Sequence, residues 1–146
     1  PLTMPAARHV FTTETRANAV NELFAQLDRL MEPEDEILAY GGIPMVHFIT
    51  GARSAIAMPW STRLFTDELK ERLHAMRQRD LPELAVRSLT RTSDYEWEKR
   101  VPLDEAVDPI YARKLKMIDQ VLDETGYEEI WRNDLFKILV SPDRQG

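Results

Sequence analysis

The chain has 146 residues, with 19 Lys plus Arg, 25 Asp plus Glu and no Cys, and its formal net charge is −6. The length predicts a single domain, and a chain of this size buries enough surface to fold without a disulfide or a structural metal. The negative charge argues against a nucleic-acid partner, which requires a basic surface. The absence of Cys excludes thiol catalysis and Cys-ligated metals.

The first half of the chain alternates between helical and strand patterns. Apolar residues recur at offsets of three, four and seven after an extended segment over residues 1–14, and Thr13 or Thr15 is a suitable helix N-cap. Short apolar runs that end at Gly41-Gly42 and at Pro59 indicate strands. The predicted elements are a helix over 16–31, a strand over 37–40, a short helix over 43–50 and a strand over 54–58.

The second half of the chain continues the alternation of helices and strands, and it ends in two consecutive strands. Thr66, followed by two acidic residues, predicts a helix start, and Asp108-Pro109 predicts another. Residues 90–107 show neither the helical nor the strand periodicity of apolar residues, which predicts a long acidic loop. Asn133-Asp134 indicates a tight turn between two strands. The predicted elements are a helix over 66–78, a strand over 84–89, a helix from 109 with Ile110, Leu115, Ile118, Val121 and Leu122 facing inward, and strands over 127–132 and 135–141.

This order of elements predicts a three-layer α/β fold. Strands that alternate with helices imply crossover connections and a mainly parallel, Rossmann-like sheet of about five strands with helices on both faces. The final two strands add an antiparallel hairpin at one edge.

The turn after the first strand is the first candidate site. Tyr40, Gly41 and Gly42 lie at the carboxyl end of a strand and before a helix, where open α/β sheets bind ligands and where a helix start attracts anions. The segment lacks the glycine fingerprint of dinucleotide sites and the phosphate-loop motif. Pro44 also removes one amide that could face a phosphate. A plain glycine turn is therefore favoured over an anion site.

The titratable residues give no catalytic motif. His47 lies among apolar neighbours on the short helix, which favours a hydrogen-bonded structural histidine over a base or ligand. His47 and Arg53 are nevertheless retained as candidate ligand-binding residues. No serine lies in a nucleophile elbow. No catalytic residue and no cofactor are predicted.

Charged clusters offer weaker alternatives. Asp94, Glu96 and Glu98 could place three carboxylates on one face for a hard cation, but a solvated loop is favoured, and no metal site is assigned. The basic residues near Arg72, Arg77 and Arg79 could meet an anionic lipid surface, although interspersed acidic residues favour a solvated helix face. Trp60 and Trp97 fall in predicted loops and could serve an interface.

Two segments resemble a known family. Residues 36–53 carry a strand, a helix with Pro44 and Phe48, and then Thr50, Gly51 and Arg53, with Ala52 inserted between Gly and Arg. This pattern resembles the C-terminal extracytoplasmic domain of bacterial multi-pass membrane glycosyltransferases of the GT-C type, which take sugars from polyprenyl-phosphate donors. Residues 127–140 also resemble the final hairpin of such domains.

The resemblance implies a non-catalytic, periplasmic soluble domain of a glycosyltransferase-like membrane protein. The catalytic carboxylate of these enzymes lies in their membrane part, so no catalytic residue transfers to this chain. The implied partners are the transmembrane region of the same protein and a polyprenyl-phosphate sugar or its acceptor, with the 90–107 loop as the contact. The Pro1 start agrees with excision from a longer chain.

Two other functions stay open at this point. The chain could be a free-standing cytoplasmic Rossmann or flavodoxin-like module that binds a small anion at Gly41-Gly42. It could also be a small enzyme that uses the acidic 94–108 region as a metal site.

Overall fold

The computed structural model describes residues 1–90 and 109–145. In these ranges the chain forms helices and strands in the predicted order. The helices are α1 (Glu14–Leu30), α2 (Met45–Thr50), α3 (Thr66–Arg77) and α4 (Pro109–Glu124). The strands are β1 (Glu36–Tyr40), β2 (Arg53–Ser54), β3 (Leu84–Ser88), β4 (Glu128–Arg132) and β5 (Phe136–Val140).

The five strands form one open sheet in the order β2-β1-β3-β5-β4. The pairs β2–β1 and β1–β3 are parallel, whereas β3–β5 and β5–β4 are antiparallel. The predicted antiparallel hairpin at one edge is confirmed. The sheet is mixed rather than mainly parallel, because the inner hairpin strand β5 pairs antiparallel with the central strand β3.

Helices cover both faces of the sheet, so the prediction of a layered α/β fold is confirmed. Alternate residues of each strand point to opposite faces, and two apolar cores follow from this alternation. On one face, α1 and α2 pack on Ile37, Val86 and Ile138. On the other face, α3 and α4 pack on Leu38, Ala85 and Leu139. Leu2, Met4 and Ala7, which precede α1, join the first core.

The second strand is shorter than predicted. Only Arg53–Ser54 pairs with β1, and the apolar residues Ala55 and Ile56 are buried in a bend instead of extending the sheet. Ala57 has a φ of 53°, which an extended strand does not allow. The prediction of a strand over 54–58 was therefore wrong, and β2 is a very short edge strand.

The helix ends follow local chemistry with two exceptions. The Thr13 hydroxyl accepts a hydrogen bond from the Arg16 amide, 3.4 Å, which confirms the cap of α1. Thr66 is already helical, so the N-cap of α3 is Phe65, which has no capping side chain. Ile110 is 60% exposed and does not face inward as predicted, whereas Leu115, Ile118 and Leu122 are buried.

The hairpin turn depends on one side chain. The Asn133 Oδ1 accepts hydrogen bonds from the amides of Leu135, 3.0 Å, and Phe136, 2.9 Å, which explains why this residue separates the two strands. Its Nδ2 donates to the Ala19 carbonyl of α1 at 3.1 Å. The turn is therefore tied to the helix that covers it.

The predicted acidic loop, with Asp94, Glu96, Glu98 and Trp97, lies outside the described residues after Thr90, and Asp108 does too. No helix within the described ranges has both the length and the apolar character needed to cross a membrane.

Candidate functional site

The five predicted ligand-binding residues lie at two separate places. Tyr40, Gly41 and Gly42 are at the carboxyl end of β1. His47 and Arg53 line a cavity beside the edge strand β2. Arg53 lies opposite Glu36 in the register of β1 and β2, at the amino end of both strands. The structure thus does not bring the five residues together into one site.

The cavity occupies about 680 Å³ beside β2. It opens where β2 stops after two residues, because the short edge strand leaves space between the helical layers. Much of its wall is formed by small apolar side chains, and α3 and the turn that follows it contribute Arg72, Met76 and Arg79. The wall's small apolar residues are Ala52, Ala55, Ala57, Pro59 and Ala75. Ligand-binding cavities in proteins are typically of about 300–1,000 Å³ and mostly apolar.

Two arginines of α3 and the turn that follows it hold the bend that forms the cavity wall. The Arg72 Nη1 donates to the carbonyls of Ile56, 2.9 Å, and Ala57, 3.3 Å. The Arg79 Nη2 donates to the Ala55 carbonyl, and its Nη1 donates to Glu36 Oε2 at 2.6 Å. These bonds provide donors for the carbonyls of residues 55–57, which lie just beyond the end of β2. They explain why residues 55–57 bend here.

His47 has one satisfied and one unsatisfied ring nitrogen. Its Nδ1 lies 3.2 Å from the Ala52 carbonyl oxygen. A carbonyl oxygen only accepts, so Nδ1 carries the proton and Nε2 carries a lone pair. The Nε2 atom is buried without a hydrogen-bond partner among the residues that the structure describes. Burial lowers the pKa of His47, which keeps the ring neutral.

At the carboxyl end of β1, Tyr40 belongs to a buried polar cluster. The Tyr40 hydroxyl donates to Asp119 Oδ1 at 2.7 Å, and the Arg87 guanidinium binds both oxygens of Asp119. Burial raises the pKa of Tyr40 well above its usual value, and the Asp119 charge adds to this effect. Sequence reasoning missed Arg87 and Asp119. The available signal was a single arginine within the apolar run of β3, since a buried guanidinium requires an acidic partner.

Gly41 and Gly42 form a turn with φ values of 90° and 81°, a conformation that glycine adopts without strain. The following helix α2 has only six residues, and its N-cap is Pro44. A helix this short has a weak dipole, and Pro44 offers no amide to an anion. The positive φ values of this turn are therefore enough to explain why glycine occupies both positions.

Three large apolar side chains are exposed near the start of α3 and α4. Phe65 is 82% exposed, Ile110 60% and Trp60 45%. The Lys114 Nζ of α4 donates to the Thr62 carbonyl at 3.0 Å, which joins the start of α4 to the turn between Trp60 and Phe65. Because α3 and α4 both begin at the carboxyl end of the parallel strands, the three residues share that end. We call them the apolar end surface.

Within the described part of the chain, no group of acidic or histidine residues is arranged to hold a metal ion. Comparisons of the chain with protein-family models, with curated proteins and with solved structures give no match.

Proposed function

We propose that this chain is a non-catalytic extracytoplasmic domain of a glycosyltransferase-like membrane protein, and that it packs on the membrane part through the apolar end surface. The parent protein would transfer a sugar from a polyprenyl-phosphate donor, and this domain would help to present the lipid-linked sugar or its acceptor. The observation that carries the proposal is the exposure of Trp60, Phe65 and Ile110 at one end of the sheet.

Phe65 is the most informative of the three residues. It occupies the N-cap of α3, where Ser, Thr, Asp or Asn would stabilise the helix and Phe does not. Its ring is 82% exposed, so it adds little to the core. Its ring is therefore available for contact with another surface. Burying such a ring against a partner gives about 1.5–3 kcal/mol.

The neighbouring residues suit a membrane-side contact. The Arg63 guanidinium lies 5.3 Å from the centre of the Trp60 ring. Aromatic rings next to basic side chains are common where a protein meets the polar boundary of a bilayer. The chain also leaves the carboxyl end of β3 at Thr90, the last described residue before the acidic loop that the family resemblance implies as the contact.

The segments that carry the family resemblance support the same proposal. Residues 36–53 form β1, α2 and the start of β2, and residues 128–140 form the β4–β5 hairpin. The strand, short helix and closing hairpin agree with the order expected from the resemblance. Gly51 caps α2 with a φ of 74°, as a glycine after this helix is expected to do. Phe48, the aromatic residue of that helix, is 80% exposed. The parallel β2-β1-β3 half also supports a Rossmann-like relationship.

The complete gene gives the first test. We expect the reading frame to encode eight or more membrane spans before Pro1, and a frame without them would overturn the proposal. A photo-crosslinking residue placed at position 65 or 110 of the full-length protein tests the contact. We expect crosslinks from these positions to the membrane part, and none from position 71, where Glu71 is also exposed. Equal crosslinking from all three positions would contradict docking through the apolar end surface.

The alternative of an anion site at Gly41-Gly42 is not favoured by the geometry. The six-residue length of α2 and Pro44 at its N-cap both reduce what that turn could offer an anion.

A further inference from the structure

Exposed apolar side chains also precede α1. Phe11 is 77% exposed and Val10 is 50% exposed. The segment that carries them is anchored to the domain, because Leu2, Met4 and Ala7 are buried in the first core. The Val10 amide also donates to the Ala7 carbonyl at 2.9 Å. The segment is therefore held in place while it presents Phe11 and Val10 to the outside.

The start of α1 lies at the same end of the sheet as the apolar end surface. The Asn133 Nδ2 donates to the Ala19 carbonyl in the first half of α1 at 3.1 Å. The strand that follows Asn133 begins at Phe136, which pairs with Ser88 at the carboxyl end of β3. The first half of α1 is therefore near the carboxyl end of the parallel strands, and Phe11 lies just before this helix.

The exposed apolar residues of this end stand on both sides of the sheet. The helix α1 covers one face, whereas α3 and α4 cover the other. Phe11 and the apolar end surface therefore flank the end of the sheet. Side chains placed in this way can touch one flat surface together when the domain stands on this end. The surface of a bilayer has that shape and accepts apolar side chains at the level of its headgroups.

An arginine accompanies three of these apolar residues at the same spacing. Each arginine is three positions away from its apolar residue along the chain, and the pairs are Arg8 and Phe11, Trp60 and Arg63, and Ile110 and Arg113. All three arginines are exposed. A long basic side chain beside an apolar one can reach lipid phosphates while its neighbour enters the headgroup region.

The charges of these arginines are not neutralised by carboxylates of residues 1–90 and 109–145, since none of the three forms an ion pair there. The Arg63 guanidinium lies 5.3 Å from the centre of the Trp60 ring. The Arg8 Nε donates to His9 Nε2 at 3.2 Å. Neither contact supplies a negative charge, so the arginines remain available to anions.

The acidic residues at the same end define how local this attraction is. In the first turn of α3, Asp67 lies 4.0 Å from Lys70, and Glu68 pairs with Arg72 at 2.7 Å. The segment over 91–108 carries six acidic and three basic residues, and the whole chain has a net charge of −6. Long-range attraction to an anionic surface is therefore absent, and binding depends on close contact by the three arginines together with the apolar residues.

We propose that this end of the molecule binds the surface of a bilayer that contains anionic phospholipid. Phe11 and the apolar end surface enter the headgroup region, and the three arginines contact lipid phosphates. The inference rests on the proposed function and deepens it, because it adds lipid to the membrane part as a contact of the same end.

The test mixes the chain as it is with vesicles made of equal parts of phosphatidylglycerol and phosphatidylcholine, and flotation measures the bound fraction. We expect saturable binding that falls about ten-fold or more with vesicles of phosphatidylcholine alone. Raising the salt to about 1 M should weaken binding to the mixed vesicles, because charges are then screened within about 3 Å. Equal binding to both kinds of vesicle would overturn the assignment of anionic lipid. No binding to the mixed vesicles would overturn the contact itself.

Matched variants locate the contact. Phe11→Ser should weaken binding to the mixed vesicles about ten-fold, through loss of a buried ring. Arg113→Ala should weaken it about five-fold, as expected for one basic residue near an anionic membrane. The controls are Ile130→Ser and Arg29→Ala at the other end of the sheet, where Ile130 shares a cavity with Leu84 and Arg29 lies in the last turn of α1. Both controls should keep the wild-type affinity, and equal losses from the two ends would overturn the proposal.

The vesicles contain no membrane part, so they separate the lipid contact from the docking. Crosslinks from positions 65 and 110 of the full-length protein without any vesicle binding by the chain would overturn the lipid contact and leave the proposed function standing. Vesicle binding with the expected losses, but without those crosslinks, would support the lipid contact and contradict docking on the membrane part.

Discussion

Arg87 of β3 holds Asp119 of α4 through two parallel hydrogen bonds, Nε to Oδ1 at 3.0 Å and Nη2 to Oδ2 at 3.0 Å. The Arg87 side chain is only 7% exposed, whereas the Asp119 side chain is 36% exposed. The Tyr40 hydroxyl donates to the same carboxylate. Asp119 of α4 thereby joins the parallel strands β1 and β3 to the helical layer that covers them.

Asp119→Ala should therefore destabilise the fold strongly. Removing one partner of a buried ion pair leaves the other charge in a poorly solvated position, and the partial exposure of Asp119 limits the cost to about 2–3 kcal/mol. The measurement is the free energy of unfolding from a urea titration.

Glu129→Ala is the matched control, because Arg132 binds Glu129 with the same two-bond geometry on an exposed strand. The control should lose less than about 1 kcal/mol, and an equal loss in both would show that burial does not set the value of the Arg87–Asp119 pair.

Much of the fold could be predicted from local patterns, but this cluster could not. The stripe of α1, the apolar runs of β1 and β3 and the Asn133 turn are properties of neighbouring residues, so their positions are confirmed within one or two residues. Tyr40 and Asp119 are 79 residues apart, and the pairing that joins them depends on the order of strands and helices. No local period encodes that order.

The cavity beside β2 could not be predicted from local sequence patterns either. The run from Ala55 to Met58 has the composition of a strand, and this composition predicts one. The structure bends it because Arg72 and Arg79, which are distant in sequence, take up its carbonyls. His47 and Arg53 were identified as candidates, but their shared cavity exists only because the strand ends early.

The buried ring of His47, whose Nε2 has no hydrogen-bond partner among the described residues, should make the protein sensitive to acid. Burial lowers the pKa of His47 from its usual 6.5 in the unfolded chain, so the unfolded state binds its proton first as the pH falls. The stability from the neutral ring is fully present above pH 6.5 and is lost as the pH falls from there toward the lower pKa of the folded state. Each pH unit in this window costs at most about 1.4 kcal/mol.

His47→Asn tests this prediction, since the Asn amide keeps a donor toward the Ala52 carbonyl but does not titrate. We expect unfolding free energies measured between about pH 7 and pH 5 to fall less steeply in this variant than in the wild type. His74→Asn, which changes an exposed histidine of α3, is the matched control and should keep the wild-type slope. Parallel pH profiles for the His47 variant and the wild type would show that His47 is not the source.

Two glycines with similar backbone angles should respond differently to Ala. Gly51 has a φ of 74° and open space where a Cβ would lie, so Gly51→Ala should cost only the left-handed strain, about 1 kcal/mol. Gly126 has a φ of 81°, and a Cβ there would lie 3.2 Å from Pro142 Cγ. Gly126→Ala should therefore lose more stability than Gly51→Ala in the same urea titration. Gly51→Asn should recover part of the loss, because Asn tolerates this conformation better. A larger loss at Gly51 than at Gly126 would be inconsistent with these contacts.

Substitutions of Phe65, the N-cap residue of α3, should show that its ring serves contact with another surface rather than the stability of the domain. Phe65 leaves the first amides of the helix without a side-chain acceptor, and its ring is 82% exposed. Phe65→Ser supplies that acceptor and removes little buried area, so the isolated chain should gain about 0.5–1 kcal/mol in unfolding free energy.

In the full-length protein the same substitution should weaken packing on the membrane part, measured as loss of crosslinks from position 110. Phe65→Ala is the control, since it removes the ring without adding a cap and should weaken the contact without the gain in stability. A loss of stability in the isolated Phe65→Ser chain would instead place the ring among the residues that hold the domain together.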